Sequence, residues 1–282
     1  MTSQEAKFKF SFVYLAPILV SIFFGLCCAW ILNPHQTSAT PVLPPATPFP
    51  DSTPSNILGT AIFYVVLIAI SGTMFYFLLK QKKLKIIKIA ILSVMTMAAM
   101  LLSIIYISTL LTNTIFNSIP IIVGTSILIT ILFDLALFKY TKAQSIAVIC
   151  LGGSFGALFS FIFPLYSAIV ILIAITIYDI FAVYRGPVGK IAKSGIEQLN
   201  GLSYSFKDIQ MGLGDLFFYS MLSCLMYFNY TNSFIPTIMS TIGICIGSII
   251  TFAILEKKEI FPGLPFPIAI GLILGFISSL LI

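Results

Sequence analysis

Long apolar runs alternate with short polar segments along almost the whole chain. Most runs contain about 20 residues, which is the length that a helix needs to cross a hydrocarbon core of about 30 Å. They predict nine transmembrane helices, at residues 10–32, 57–79, 87–112, 119–138, 145–163, 165–184, 212–229, 235–255 and 265–282. We therefore expect an all-α polytopic membrane protein.

The composition agrees with this interpretation. Hydrophobic residues make up 59% of the 282 residues, and charged residues make up only 9%. Soluble domains carry about 25% charged residues, so a soluble globular protein is excluded. The five cysteines all fall within apolar runs and lack the spacing of a disulfide framework or a zinc site. The first apolar run lacks a clear cleavage site, so we expect a retained helix and not a signal peptide.

The basic residues indicate how the helices are oriented. If the N-terminus is cytoplasmic and the nine helices alternate in direction, all 15 Lys and Arg residues fall on the cytoplasmic side. Basic residues concentrate in cytoplasmic loops, so we expect a cytoplasmic N-terminus and an extracytoplasmic C-terminus. The net charge of +6 then belongs to short loops that face membrane lipids, and no nucleic-acid partner is expected.

Two carboxylates interrupt the apolar runs on consecutive helices. Asp179 lies near the end of predicted helix 6, and Asp215 lies near the start of predicted helix 7. A charged side chain inside a membrane is unfavourable, so such residues are functional candidates by default. Because helices 6 and 7 run in opposite directions, both carboxylates fall at a similar depth on the cytoplasmic side. We expect the two side chains to face each other if the helices are neighbours.

Two facing carboxylates cannot both ionise cheaply, so such a pair shares one proton over some pH range. The ionised member can activate a water molecule while the protonated member polarises a carbonyl group, which is the chemistry of aspartyl proteases. The only histidine, His35, falls on the opposite side of the membrane, so no serine–histidine or cysteine–histidine set is available. Nothing in this chemistry requires a metal ion or another cofactor.

Three segments near the carboxylates suggest how a substrate is held. Gly212 and Gly214 leave room for another backbone to approach. Residues 202–207 alternate apolar and polar positions with strand period, and we hypothesise that they form a strand that pairs with an extended substrate. The prolines at 262, 265 and 267 predict irregular backbone before helix 9, in a place where protein or a cavity must cover it.

At these residues the sequence resembles the presenilin-type intramembrane aspartyl proteases, whose superfamily also contains the signal peptide peptidases. The family signatures are Tyr-Asp in helix 6, Gly-x-Gly-Asp in helix 7 and Pro-Ala-Leu before helix 9. They correspond here to Tyr178-Asp179, Gly212-Leu213-Gly214-Asp215 and Pro262-Gly263-Leu264, with Gly263 in place of the alanine. Signal peptide peptidases have the opposite membrane orientation, so the lysine distribution favours the presenilin type.

The resemblance implies an aspartic-type endopeptidase that hydrolyses peptide bonds in transmembrane segments of membrane proteins. It implies that Asp179 and Asp215 are the catalytic dyad. A role in shaping the active site is implied for Tyr178, Gly212, Leu213 and Gly214. A role in positioning the substrate is implied for Pro262, Gly263, Leu264 and Pro265.

In this interpretation the chain has three parts within one integrated membrane domain. Residues 1–184 carry Asp179, residues 185–211 form a cytoplasmic linker, and residues 212–282 carry Asp215. The linker is far shorter than in eukaryotic presenilins, which favours a single-chain microbial homologue without accessory subunits. In a prokaryote the location would be the cell membrane.

Two other functions remain compatible with these residues. A prepilin-peptidase-like protease also uses Gly-x-Gly-Asp, but it predicts cleavage near the membrane surface and does not account for the loop before helix 9. A transporter or ion channel could use the buried carboxylates to relay protons or bind cations. Asp134 of helix 4 either pairs with a lysine or reaches the interface, or belongs to such a proton or ion path.

Overall fold

The architecture comes from a computed structural model, which describes residues 12–36, 47–49, 53–81, 84–112, 114, 117–139, 141–184, 203–206, 209–230, 233–257 and 261–281. Within these residues the chain forms nine α-helices: α1 (Ala16–Gln36), α2 (Pro54–Lys80), α3 (Leu84–Leu111), α4 (Ile119–Lys139), α5 (Thr141–Ile162), α6 (Leu165–Tyr184), α7 (Leu213–Asn229), α8 (Ile235–Leu255) and α9 (Pro265–Ser279). They coincide with the nine predicted runs. The largest difference lies at the start of α1, where Phe12–Leu15 forms a 3-10 helix.

Two of the helix ends that differ from the prediction have a local explanation. α2 begins at Pro54 because Thr53 caps it, with the Asn56 amide donating a hydrogen bond to the Thr53 hydroxyl oxygen at 3.4 Å. A proline fits the first helical position because its missing N–H would be unpaired there. α1 continues to Gln36, through Pro34 and His35, which the sequence analysis assigned to the outer loop. A proline this close to a helix end removes one hydrogen bond without preventing the last turn.

A β-hairpin before α7 departs from the all-α prediction. Strands β1 (Ser203–Phe206) and β2 (Ile209–Gly212) pair antiparallel, with Ser203 opposite Gly212. The predicted strand is confirmed over Ser203–Phe206, although its partner here is β2, which the sequence analysis did not predict. Pairing with a substrate stays a prediction. Because β2 ends at Gly212, the hairpin leads directly into α7. The rest of the predicted linker, residues 185–202 and 207–208, lies outside the described residues.

α7 lies at the centre of the helix bundle, in contact with α1, α5 and α8. Its residues 219–228 are all buried. The Ser160 hydroxyl of α5 donates a hydrogen bond to the Met221 carbonyl at 2.7 Å, and the Ser220 hydroxyl donates one to the Gly153 carbonyl at 3.0 Å. Polar contacts of this kind, together with small residues, are typical of helix association in membranes. Packing on three sides therefore fixes α7, and with it the position of Asp215.

Close packing of α8 against α9 fixes the segment that precedes α9. A Cβ atom on Gly243 would lie 2.7 Å from the Ile270 carbonyl oxygen, and one on Gly247 would lie 2.5 Å from the Pro267 Cα atom. The missing side chains of these two glycines therefore allow the close approach of α8 and α9, as small residues spaced four apart do in membrane helices. Because Gly247 touches the first turn of α9, this contact also fixes the loop before Pro265.

Seven helices within the described part of the chain are long and apolar enough to cross a membrane. α7 and α9 are shorter than these seven, with 17 and 15 residues respectively. Both short helices begin after non-helical backbone: β2 precedes α7, and the Pro262-Gly263-Leu264 segment precedes α9. The Gly-x-Gly-Asp and Pro-Gly-Leu segments, which were predicted to contain functional residues, therefore both lie where a short helix follows non-helical backbone.

α6 lies at the edge of the bundle. It packs chiefly against α2, with smaller contacts to α9 and α7. Its other face carries large apolar residues that are exposed in the isolated protein: Ile173, Ile177, Ile180, Phe181 and Tyr184. In a bilayer that face is covered by lipid, so the helix that carries Asp179 has few protein neighbours.

Candidate active site

Asp179 lies in the last two turns of α6 and contacts the segment before α9. One carboxylate oxygen of Asp179 accepts a hydrogen bond from the Leu264 amide at 3.2 Å. Leu264 is the residue before α9, where backbone N–H groups have no partner within the helix. Pro265 starts the helix at this point, so the Leu264 amide is presented to α6.

Asp215 lies in the first turn of α7, where the helix dipole favours a negative charge. The backbone of Gly212 donates a hydrogen bond to its carboxylate. Both carboxylate oxygens of Asp215 lie 3.0 Å from the place that a Cβ atom on Gly263 would occupy. The missing side chain of Gly263 is thus what leaves room for this carboxylate.

The two carboxylates meet at one peptide group. Asp179 binds the N–H of the Gly263–Leu264 peptide, and Asp215 packs against the Gly263 side of the same peptide. The two side chains are close enough to interact electrostatically. Asp179 on α6 and Asp215 on α7 therefore lie near each other because both contact the segment before α9.

The other predicted site residues divide into two groups. The first group, Gly212, Leu213 and Gly214, lies where β2 ends and α7 begins. A Cβ atom on Gly214 would meet no described atom within 4 Å, and one on Gly212 would come no closer than 3.8 Å to Asp215. Open space thus lies beside these glycines, as the sequence analysis expected for an approaching backbone. Pro262 and Leu264 are buried, which holds the segment before α9 in the bundle.

The hydroxyl of Tyr178 contacts α2. Its oxygen atom lies 3.6 Å from the place that a Cβ atom on Gly72 would occupy. Gly72 belongs to α2, which is the main protein neighbour of α6. Through this contact Tyr178 helps to position α6, and with it Asp179, against α2.

One residue at the site was not singled out from the sequence. Tyr219 of α7 is 2% exposed, and its hydroxyl donates a hydrogen bond to the Gly263 carbonyl at 2.9 Å. Its spacing of four residues from Asp215 places the two side chains on the same face of α7. That spacing was visible in the sequence, but the partner on a distant segment was not.

Asp134 lies apart from these residues. It belongs to α4, which contacts α3 and α5, and its carboxylate accepts a hydrogen bond from the Thr96 hydroxyl of α3 at 2.9 Å. The lysines proposed as its partners have side chains outside the described residues. Over the described ranges, no group of three His, Cys, Asp or Glu residues could hold a metal ion.

Comparison with solved structures supports the presenilin-type interpretation of the fold. One structure of a presenilin family intramembrane aspartate protease, in space group C222, has a TM-score of 0.66 and 15% identity, with 95% of this chain and 99% of that chain covered. A second, in space group P2, has a TM-score of 0.64 and 17% identity, with 95% and 98% covered. Comparison with curated proteins gives no match.

The sequence model of a family described as signal-peptide peptidase, presenilin aspartyl protease matches residues 46–197. The match contains Asp179 and ends before Asp215. It favours the presenilin-type interpretation over the prepilin-peptidase-like one. Together with the multiple apolar helices, it makes the chain an integral, multi-pass membrane protein. Because the match spans more than half of the 282 residues, the chain belongs to the signal-peptide peptidase and presenilin family of intramembrane aspartyl proteases.

Proposed function

We propose that this protein hydrolyses peptide bonds in the transmembrane segments of other membrane proteins, with Asp179 and Asp215 as its catalytic pair. The observation that supports this assignment best is the convergence of both carboxylates on the Gly263–Leu264 peptide. Two helices that bring carboxylates to one buried segment meet the geometric requirement for general acid–base catalysis.

The proposed reaction needs one proton on the pair. The ionised carboxylate accepts a proton from a water molecule, whose oxygen attacks the carbonyl carbon of the substrate. The protonated carboxyl group donates its proton to the carbonyl oxygen, so that a gem-diol forms. Collapse of the gem-diol breaks the C–N bond. The leaving nitrogen takes up the proton that came from water, and one gem-diol hydroxyl returns a proton to the carboxylate that had donated one, so the pair regains its starting protonation.

A substrate helix must unwind before this reaction, because helical hydrogen bonds hide its peptide groups. We propose that the hairpin before α7 holds the unwound segment by strand addition. Over the described residues the sheet has two strands, so each strand has one edge without a partner strand. β2 ends three residues before Asp215, so a substrate strand added to the other edge of β2 would lie near the carboxylates. Pro262 and Pro265, with the two residues between them, would border the substrate on the opposite side.

Scrambling residues 202–207 disrupts β1, which pairs with β2, and so disrupts the hairpin. We expect kcat/KM to fall by about tenfold or more, since each hydrogen bond to substrate that the hairpin loses is worth about 1 kcal/mol. The measurement is cleavage of a model transmembrane substrate by the purified protein. A matched control scrambles residues 40–45 in the proline-rich segment, where no effect on cleavage is expected. Unchanged cleavage by the 202–207 variant would rule out strand pairing as the way in which the substrate is held.

Activity is expected to follow a bell-shaped pH profile. At low pH both carboxyl groups are protonated and neither can accept a proton from water. At high pH both are ionised and neither can donate a proton to the carbonyl oxygen. The two inflections belong to the pair and not to either residue alone. The measurement is kcat/KM from about pH 4 to about pH 8, with thermal stability recorded at each pH to detect unfolding. A flat profile contradicts the shared-proton mechanism.

The proposed function is tested by incubating purified protein in liposomes with a single-span model substrate, with and without an aspartyl-protease transition-state inhibitor. Cleavage that the inhibitor blocks is the expected result. Absent cleavage by folded protein, accompanied by ion flux across the same liposomes, would contradict the assignment and favour a channel.

We also propose that the protein acts as a single chain, in keeping with its short linker at residues 185–211. We further propose a cytoplasmic N-terminus and an extracytoplasmic C-terminus, because all 15 basic residues then face the cytoplasm. The catalytic pair then lies toward the cytoplasmic side. A reporter enzyme that is active only outside the cytoplasm, fused to the C-terminus, tests this orientation.

A further inference from the structure

Tyr219 connects two of the segments that form the candidate site, α7 and the segment before α9. It lies on α7, one helical turn after Asp215, and is 2% exposed. Its hydroxyl donates a hydrogen bond to the carbonyl oxygen of Gly263 at 2.9 Å. The hydroxyl of Ser248 on α8 interacts electrostatically with the Tyr219 side chain, while its own proton is donated to the Ile244 carbonyl at 2.8 Å. The phenol hydroxyl therefore links α7 to the segment before α9.

The bond to Gly263 reaches Asp179 through a single peptide group. The Gly263 carbonyl and the Leu264 amide belong to the same planar peptide unit, whose two polar atoms point in opposite directions. Tyr219 binds the carbonyl at one end, and Asp179 binds the amide at the other at 3.2 Å. Hydrogen bonds at the two ends of a peptide unit polarise and strengthen each other. Tyr219 thus orients the donor that Asp179 uses.

Tyr219 also compensates for the freedom of Gly263. A glycine restricts its backbone less than the alanine that the family signature carries at this position. The open space at Gly263 is filled on one side by the Asp215 carboxylate, and its carbonyl is held by Tyr219. The same helix therefore supplies both contacts that limit how this peptide can rotate.

We propose that Tyr219 is a positioning residue for the catalytic pair, which it serves by fixing the rotation of the Gly263–Leu264 peptide. Tyr219 does not touch the reacting atoms, and it acts on Asp179 through this peptide. The inference rests on the function proposed above, since it concerns the geometry of the same two carboxylates.

The test compares Tyr219→Phe with the wild type in the liposome cleavage assay, with kcat and KM determined separately. Tyr219→Phe retains the buried ring and removes the hydroxyl alone. We expect kcat to fall by about tenfold while KM stays within about twofold, because substrate contacts are unchanged and the carboxylate geometry is lost. We also expect one limb of the pH profile of kcat/KM to move, since the hydrogen bonding of one member of the pair changes.

Tyr106→Phe is the matched control, because Tyr106 also donates a buried phenol hydrogen bond to a carbonyl oxygen, that of Ser154 at 2.7 Å. It lies on α3, away from the carboxylates. We expect this variant to lower thermal stability as much as Tyr219→Phe does, with kcat and the pH profile unchanged. An equal loss of kcat in Tyr106→Phe would overturn the proposal, because the effect would then be one of general stability.

Ser248→Ala provides a second variant if Tyr219→Phe does not fold. It removes a hydroxyl that interacts electrostatically with the phenol, and we expect kcat to fall by about threefold with KM unchanged. An unchanged kcat in Tyr219→Phe, or in Ser248→Ala where Tyr219→Phe is unfolded, would overturn the proposal. Failure of the proposed function looks different, since cleavage would then persist in variants that lack Asp179 or Asp215.

Discussion

Replacement of either Asp179 or Asp215 by alanine is expected to abolish cleavage, with a loss of at least about 10³-fold in kcat. Each carboxylate has its own part in the proposed reaction, because one must accept a proton while the other donates one. The remaining carboxylate cannot take both parts at once. The double variant should therefore be no less active than either single variant, since the pair acts as a unit.

Substitution by asparagine sharpens this prediction, because an asparagine side chain is close in shape to aspartate but cannot exchange a proton. The variants are Asp179→Asn and Asp215→Asn. Asp134→Asn is the matched control, because Asp134 is also a carboxylate within an apolar helix but contacts Thr96 on α3. We expect this control to retain nearly full activity. Folded Asp179→Asn or Asp215→Asn protein that still cleaves would refute the assignment of the dyad.

A bulky side chain at Gly263 is expected to cause the second-largest loss. The Cβ atom of Gly263→Val would already lie 3.0 Å from both carboxylate oxygens of Asp215, and two methyl groups would extend beyond it. The carboxylate must therefore move, and a displacement of about 1 Å can lower the rate by about 100-fold. We expect kcat to fall by this factor in the cleavage assay.

Gly263→Ala tests the same contact with the residue that the family signature carries. Its Cβ atom needs a shift of only a few tenths of an ångström from Asp215, so we expect a loss of about threefold, equivalent to less than 1 kcal/mol. Gly124→Val is the matched control, because a Cβ atom on Gly124 of α4 would meet no described atom within 4 Å. Equal activity of wild type and Gly263→Val would show that Asp215 does not need this space.

The helices could be predicted from the sequence because each apolar run has a length set by the membrane and not by its neighbours. The start of α2 was missed by three residues because capping by Thr53 depends on local hydrogen bonds that hydropathy does not record. The polar positions of residues 202–207 were enough to predict β1. β2 was not predicted, because Ile209–Gly212 alternates over only four residues and ends at Gly212, which was assigned to predicted helix 7.

The candidate site could be predicted in its residues but not in its contacts. Asp179 and Asp215 can be identified as charged residues within apolar runs, without knowing how the helices pack. The hydrogen bond from Leu264 to Asp179 joins residues 85 positions apart, and the bond from Tyr219 to Gly263 joins residues 44 positions apart. Such contacts depend on how α6, α7 and α9 pack, which periodicity along one helix does not specify. For the same reason, the contact of the Tyr178 hydroxyl with α2 could not be predicted.

The two helices that carry the carboxylates differ in how deeply they are buried in the bundle. α7 is enclosed by protein, whereas α6 presents a broad apolar face to lipid and packs chiefly against α2. We therefore expect that small movements of α6 would separate Asp179 from Asp215 without disturbing the core. Turnover would then scale with the fraction of molecules in which α6 is packed against its neighbours. Bilayer thickness and lipid composition, which bias the tilt of such a helix, would in that case alter the rate of cleavage although no lipid takes part in the chemistry.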